Sequence, residues 1–290
     1  MEILMKRLVI FCAGFLLCCS ALAQSPQRIV AAGGSLVELL YTLEAGNQLV
    51  GVDETATWPP QVNALPHIGY WKQLNIEGIL ALRPDTFISW QDAEPQMVFD
   101  QLAQHNIRVV KLPRTPATLE RMYENIQTLA AVVNAPEKGQ ALVADLRQRL
   151  DRVAQQNAAQ TQPVRVMFLL APGGGVPQVA GKGSVADAIL MLAGGKNVAT
   201  HRQYRTWSSE AIIAANPDVI VVTTQSGQRA RERLAVSVPG ITRTAAWKNQ
   251  RIVAIDQALI LGMGPRIVDA VEYLNAQFGS KPQSDDAIGR

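Results

Sequence analysis

Residues 77–88 read E-G-I-L-A-L-R-P-D-T-F-I, and residues 210–221 read E-A-I-I-A-A-N-P-D-V-I-V. In one register Glu77 matches Glu210, Ile79 matches Ile212, Ala81 matches Ala214, Pro84 matches Pro217 and Asp85 matches Asp218. Each copy reads as a short helix stopped by a proline turn, because the residue ahead of a proline is pushed out of the helical region. An apolar strand follows in each. A second echo lies upstream: Gly34-Ser35-Leu36 and Gly183-Ser184-Val185 each open an apolar helix, with an acid (Glu38, Asp187) three residues after the serine. Both helices close near a glycine, Gly46 or Gly195. Two motifs repeated in the same order predict a duplicated unit, hence two similar lobes with a cleft between them.

The elements around the repeats alternate strand and helix. The first half reads as strand Arg28–Ala32, a helix from Ser35, strand Leu49–Val52, helix Asn75–Leu82, strand Thr86–Ser89, helix Pro95–His105 and strand Ile107–Lys111. Ser35 with Glu38 fits a capping box. The second half reads as strand Val164–Leu170, the Gly183 helix, helix Ser209–Ala215, strands Val219–Thr223 and Arg251–Ile255, and a last helix Pro265–Phe278. Such alternation predicts parallel sheets. Between the halves strand signals vanish. Leu119–Val133 reads as a helix, and Leu142, Leu146, Leu150 and Val153 make an apolar stripe on a second, starting at Pro136. The predicted fold is α/β: two Rossmann-like lobes with parallel sheets, residues 24–135 and 161–278, joined by a long rigid helix at 136–160, with a flexible tail at 279–290.

Residues 1–23 read as a secretory signal peptide: Lys6 and Arg7, the apolar run Leu8–Cys19, then Ala21-Leu22-Ala23 as the cleavage site. The run is too short to span a bilayer, which needs about 20 residues. All three cysteines (Cys12, Cys18, Cys19) fall in this segment, so the mature chain is expected to hold neither disulfides nor a thiolate metal site. Without the signal 25 basic and 23 acidic residues remain, a net charge of +2, which offers nothing to nucleic acid or to an anionic membrane. A soluble, periplasmic monomer is expected.

No enzyme chemistry is visible. Ala171–Gly175 follows a strand but lacks the spacing of a phosphate loop. Ser35 and Ser184 lack a nucleophile elbow. His67, His105 and His201 are scattered. The informative segment is the loop Pro59–Gln73, which places Tyr70 and Trp71 side by side ahead of the first repeat helix, at the cleft lip. These aromatics either plug the loop onto the body or face a flat ligand, Trp71 by stacking and Tyr70 by its phenol. A tyrosine oxygen can also ligate haem iron, and Lys72 and Arg205 can pair with ligand carboxylates.

These stretches carry a resemblance. R-I-V-A-A-G-G-S-L-V-E-L-L (28–40), G-V-D-E-T-A-T-W-P (51–59), G-Y-W-K-Q-L-N-I-E-G-I-L-A-L-R-P-D (69–85), W-Q-D-A-E-P (90–95), V-A-G-K-G-S-V-A-D-A (179–188) and L-G-M-G-P-R (261–266) together resemble the periplasmic haem-binding proteins of Gram-negative haem ABC importers. These belong to the two-lobed substrate-binding proteins joined by a rigid helix, alongside cobalamin and ferric-siderophore carriers. The resemblance implies haem as transported ligand, bound between the lobes, with Tyr70 as axial ligand of its iron. It implies that Trp71, Lys72, Arg205, Pro172 and Gly173 border the haem, and that Glu77 and Glu210 dock on the two permease subunits of the importer. Some members carry a histidine in the loop where this chain reads L-L-A-P-G-G-G, with Pro172 near its place. Five-coordinate iron through Tyr70 alone is therefore expected, with one or two haems left open. A ferric-siderophore or cobalamin carrier is the alternative within the class, and an exported α/β enzyme the alternative outside it.

Overall fold

The computed structural model describes residues 27–158, 162–170, 177–224 and 230–279. The expected signal peptide, Pro172, Gly173, the end of the joining helix at 159–160 and the tail from 280 onward lie outside the described residues.

The N-terminal lobe runs β1 (Ile29–Ala32), α1 (Gly34–Thr42), β2 (Leu49–Val52), α2 (Ile76–Ala81), β3 (Thr86–Trp90), α3 (Met97–Gln104) and β4 (Arg108–Leu112). Its four strands form a parallel sheet in the order β2-β1-β3-β4. All four β1 residues are fully buried, as a central parallel strand covered on both faces requires. Then come α4 (Leu119–Val132) and α5 (Pro136–Ala158).

The C-terminal lobe runs β5 (Val164–Leu170), β6 (Gln178–Ala180), α6 (Val185–Leu192), β7 (Gly195–Asn197), β8 (Tyr204–Thr206), α7 (Ser209–Ala215), β9 (Val219–Thr224), α8 (Ala230–Ser237), α9 (Ala245–Lys248), β10 (Ile252–Asp256), α10 (Gln257–Leu261) and α11 (Ile267–Gly279). Its sheet has the order β10-β9-β5-β6-β8, with β7 also paired to β5. The expected parallel sheets are present in both lobes, and the second adds an antiparallel edge. The pairs β10/β9, β9/β5 and β5/β7 are parallel, but β6 pairs antiparallel with both β5 and β8. At three residues each, β6 and β8 are too short to show a period. The last helix also differs: α10 is separate, and α11 begins two residues beyond Pro265.

The repeats meet in space in the register of the sequence. At the end of α2, Arg28 Nε donates to the Arg83 carbonyl at 3.0 Å and Nη2 to that of Leu82 at 2.7 Å. At the end of α7, Arg165 Nη1 donates to the Asn216 carbonyl at 3.1 Å and Nη2 to that of Ala215 at 2.7 Å. The Arg28 amide donates to Asp85 at 2.9 Å, and the Arg165 amide to Asp218 at 3.1 Å. Arg83 and Asn216, the equivalent residues, both turn left-handed, at φ 47° and 40°. An arginine at the start of the central strand thus caps the open carbonyls of the repeat helix in each lobe.

The second echo diverges. In α6 the capping pattern forms: Ser184 Oγ accepts from the Asp187 amide at 3.2 Å, and Asp187 accepts from Gly183 at 3.0 Å. In α1 it does not, which corrects the expectation for Ser35 and Glu38. The helix is capped at Gly33 without a side-chain bond. Gly33 and Gly34 donate instead to Asp53 Oδ1 at 2.9 Å and Thr55 Oγ1 at 2.8 Å. Glu38 turns away to pair with Arg266 of the other lobe. Glycine is required at 33, where φ is 137° and a Cβ would lie 2.5 Å from the Trp90 indole nitrogen.

Helix α5 buries Val143, Leu146, Leu150 and Val153 and packs on α4 at one end and on α11 and α6 at the other. Gly139 serves close approach rather than flexibility, since a Cβ there would lie 2.5 Å from that of Ala130. On the far side Arg149 donates to Asp269 at 2.8 Å and to Glu272 at 2.9 Å. One apolar core runs from the first lobe through α5 to one face of the second sheet, and a smaller one fills that sheet's other face.

Candidate functional site

A cavity of about 650 Å³ lies between the lobes. Its walls are built where parallel strands end: Gly34 and Ser35 after β1, Glu54, Thr55 and Thr57 after β2, Trp90 closing β3, and Arg114 and Thr115 after β4. From the other lobe come Leu170 closing β5, Asp256 closing β10, and Gln257 and Ala258 after it. The crevice outside the carboxyl ends of parallel strands is where open α/β sheets bind ligands, because the helix starts and loops there are free to diverge.

Tyr70 reaches the cavity on a loop held from both sides. The Val52 amide donates to Pro66, Ile68 donates back to Val52, and Glu54 donates to Gly69 at 2.9 Å, so residues 66–69 run parallel alongside the end of β2. Gly69, at φ 86°, makes the turn. On the other side Glu94 donates to the Trp71 carbonyl at 3.0 Å and Leu74 to that of Glu94 at 2.8 Å. Tyr70 is left 38% exposed, while Trp71 keeps only 7%. Their rings meet edge to face at 5.7 Å.

Trp71 therefore takes the plugging role, although it still lines the cavity. Lys72 Nζ stands over its ring at 4.7 Å and the Arg114 guanidinium at 4.5 Å. The open stacking face expected of it is covered by cations. Lys72 is itself held by Glu94 at 2.9 Å and Asp92 at 3.6 Å and is not among the cavity-lining residues. Arg205 is not among them either: it stands on β8 next to Tyr204, and alternation along a strand sends the two to opposite faces. Tyr204 lines the cavity in its place. His201 is turned to the Val179 carbonyl at 3.2 Å and packs on Trp207. Among the described residues, no group of three or more His, Cys, Asp or Glu side chains can hold a bare metal ion.

Sequence reading passed over Arg114 and Tyr204 in the cavity wall and the Glu38–Arg266 pair that joins the lobes. A rule could have found Arg114: it stands two residues beyond the end of a parallel strand. Arg266 Nε donates to Glu38 Oε2 at 3.0 Å and its guanidinium also covers Trp58 at 4.6 Å. Burial raises the Glu38 pKa despite Arg266 beside it. Burial likewise raises that of Asp53, against its bonds from Gly33 and Thr55.

Glu77 and Glu210 are exposed in the first turns of α2 and α7. Asn75 caps α2, accepting from the Glu77 amide at 2.8 Å, and Ser208 caps α7, accepting from Ala211 at 3.3 Å. Hydrogen bonds from its own backbone amide and from Ser208 hold the Glu210 pKa below the usual carboxylate value.

Two lobes, a connecting helix and a cavity between strand ends are the architecture of a substrate-binding protein. Residues 29–259 match the periplasmic binding protein family, and the chain belongs to it. A periplasmic heme-binding protein from Pseudomonas aeruginosa is 38% identical, over 89% of this chain and 95% of that one, with a TM-score of 0.83. The periplasmic heme-binding protein RhuT from Roseiflexus is 31% identical, over 88% and 98%, with a TM-score of 0.80. The vitamin B12-binding protein of Pectobacterium atrosepticum is 26% identical over 94% of this chain and 95% of its own length. The chain is thus a periplasmic binding protein of the class shared by haem and vitamin B12 carriers.

Proposed function

We propose that this protein binds haem in the cavity between its lobes, with the Tyr70 oxygen on the iron, and delivers it to an ABC importer through Glu77 and Glu210. The observation that carries this reading is Tyr70 itself, a hard-oxygen donor left open on the wall of a cavity of about 650 Å³. That volume lies within the roughly 300–1,000 Å³ of small-molecule sites. The reading is supported by structural relatives at 38% and 31% identity described as heme-binding. Glu77 and Glu210 stand on equivalent helices of the two lobes, suited to a two-fold permease.

The test is a titration of the purified protein with ferric protoporphyrin IX. A Soret band and a phenolate-to-iron charge-transfer band are expected, and Tyr70→Phe should abolish the second and weaken binding. An unchanged spectrum and affinity in that variant would remove Tyr70 from the iron. The sequence relative that binds vitamin B12 favours a second reading, a cobalamin carrier. Calorimetric binding of cobalamin with no Soret band from haem would establish that one instead.

A further inference from the structure

We infer that Arg114 is the carboxylate anchor of the cavity, the residue that makes it select a ligand bearing an acidic group. This rests on the haem reading above.

Arg114 is held in place before any ligand arrives. Its segment leaves β4 and is tied down at both ends. Asn125, itself buried, donates to the Pro113 carbonyl at 2.8 Å. The Ala117 amide donates across to Gly183 of the second lobe at 3.1 Å. The guanidinium lies on Trp71, 4.5 Å from the ring centre, and its Nε faces Asp92 at 3.1 and 3.2 Å from the two oxygens. Only Nε is used there. The two terminal nitrogens of Arg114, the fork that suits a carboxylate, donate no hydrogen bond among the described residues. Its side chain keeps 25% exposure.

The charges around it give the selection a direction. Among the described residues lining the cavity Arg114 is the only cation, against the acids Glu54 and Asp256. A ligand carboxylate is therefore repelled elsewhere and drawn to one end. The guanidinium also reaches the seam between the lobes. Burial pushes the pKa of the Tyr204 hydroxyl up, and the charge of Arg114 pulls against that from the opposite lobe. A ligand filling the cavity thus meets Arg114 together with walls of both lobes. Lys72 and Arg205, the cations expected from sequence, are absent from that lining.

The experiment compares ferric protoporphyrin IX with its dimethyl ester, which keeps the ring and the iron and lacks both carboxylates. The native protein should bind the diacid about ten- to hundredfold more tightly, the range of a charge-assisted hydrogen-bonded contact. Arg114→Gln should lose most of that preference and leave ester affinity within about twofold. Arg114→Lys, which keeps the charge without the fork, should retain part of it and serves if the Gln variant folds poorly. Equal affinities for diacid and ester in the native protein would overturn the inference and leave the haem reading standing. So would an Arg114→Gln variant that weakens both ligands alike, since that marks a structural residue. No Soret band with either compound would end the haem reading and this one with it.

Discussion

Removing either half of the Glu38–Arg266 pair should harm the protein in different ways, and pH separates them. The Glu38 side chain is 5% exposed and that of Arg266 22%. Glu38→Ala strands a cation that cannot shed its charge. Losing one partner of a buried pair costs about 3–5 kcal/mol, and the exposure Arg266 retains puts this case near the lower end, about 3 kcal/mol. For a chain of this size that lowers Tm by about 6–12 °C. Arg266→Ala strands a carboxyl instead, which can escape by taking up a proton. Burial already holds the Glu38 pKa above its ordinary value, and the nearby guanidinium opposes the rise. Without that guanidinium the pKa climbs further, by about 1.4 kcal/mol of lost stability at neutral pH for each unit. An acid with a raised folded-state pKa holds its proton more tightly folded than unfolded. Its contribution is fully present below the unfolded pKa and is lost as pH rises through the folded one. Urea unfolding at about pH 5 and about pH 7.5 should therefore show a small Arg266→Ala deficit that grows with pH, while the Glu38→Ala deficit, which removes a group whose own contribution falls as pH rises, does not grow. Replacing both by Leu and Met should recover most of the loss. Equal and pH-independent deficits in the two single variants would refute the reasoning.

Arg28→Ala and Arg165→Ala should each cost about 1 kcal/mol in chemical denaturation, since each removes the donors that close one repeat helix. The two losses should add, the sites being remote; a silent member of the pair would deny their equivalence. Reversing both Glu77 and Glu210 to Lys should stop uptake in a reconstituted importer and leave haem affinity unchanged, and lost haem binding would place them in the wrong role. Scattering curves with and without haem should superimpose, because α5 is packed on both lobes without a loop to bend. A radius of gyration that shifts beyond experimental error would contradict that.

The duplicated skeleton was legible because its signals are local. Proline after a short apolar helix, and an acid at that helix's start, mean the same thing in both lobes. The capping pattern of Ser35 and Glu38 was just as clear and failed, because Asp53 and Thr55, distant in sequence, reach the α1 amides first. Ser184 has no such competitor and caps as written. That the loop of Tyr70 reaches the cavity was legible, as it holds two aromatics where no core periodicity needs them. How the pair divides its work was not. Whether Trp71 meets ligand or cation depends on Arg114, 43 positions downstream on another strand end. Lys72 looked free for the same reason: the acids that hold it, Asp92 and Glu94, come from the loop after β3.

The fastening of the two lobes has an order in time. Arg266 reaches back to Glu38, Asp269 and Glu272 take Arg149 of the joining helix, and Asn275 bonds Asn157 of the same helix at 2.6 Å. Every one of these clasps uses the stretch from 266 to 275, close to the last described part of the chain to be synthesised. Until it emerges, Glu38 and Arg149 are charged side chains waiting on finished surfaces. A chain cut short before Arg266 keeps the strands of both sheets and the Ala117–Gly183 bond between the lobes, but it loses the charged clasps that Arg266 and α11 make with α1 and α5.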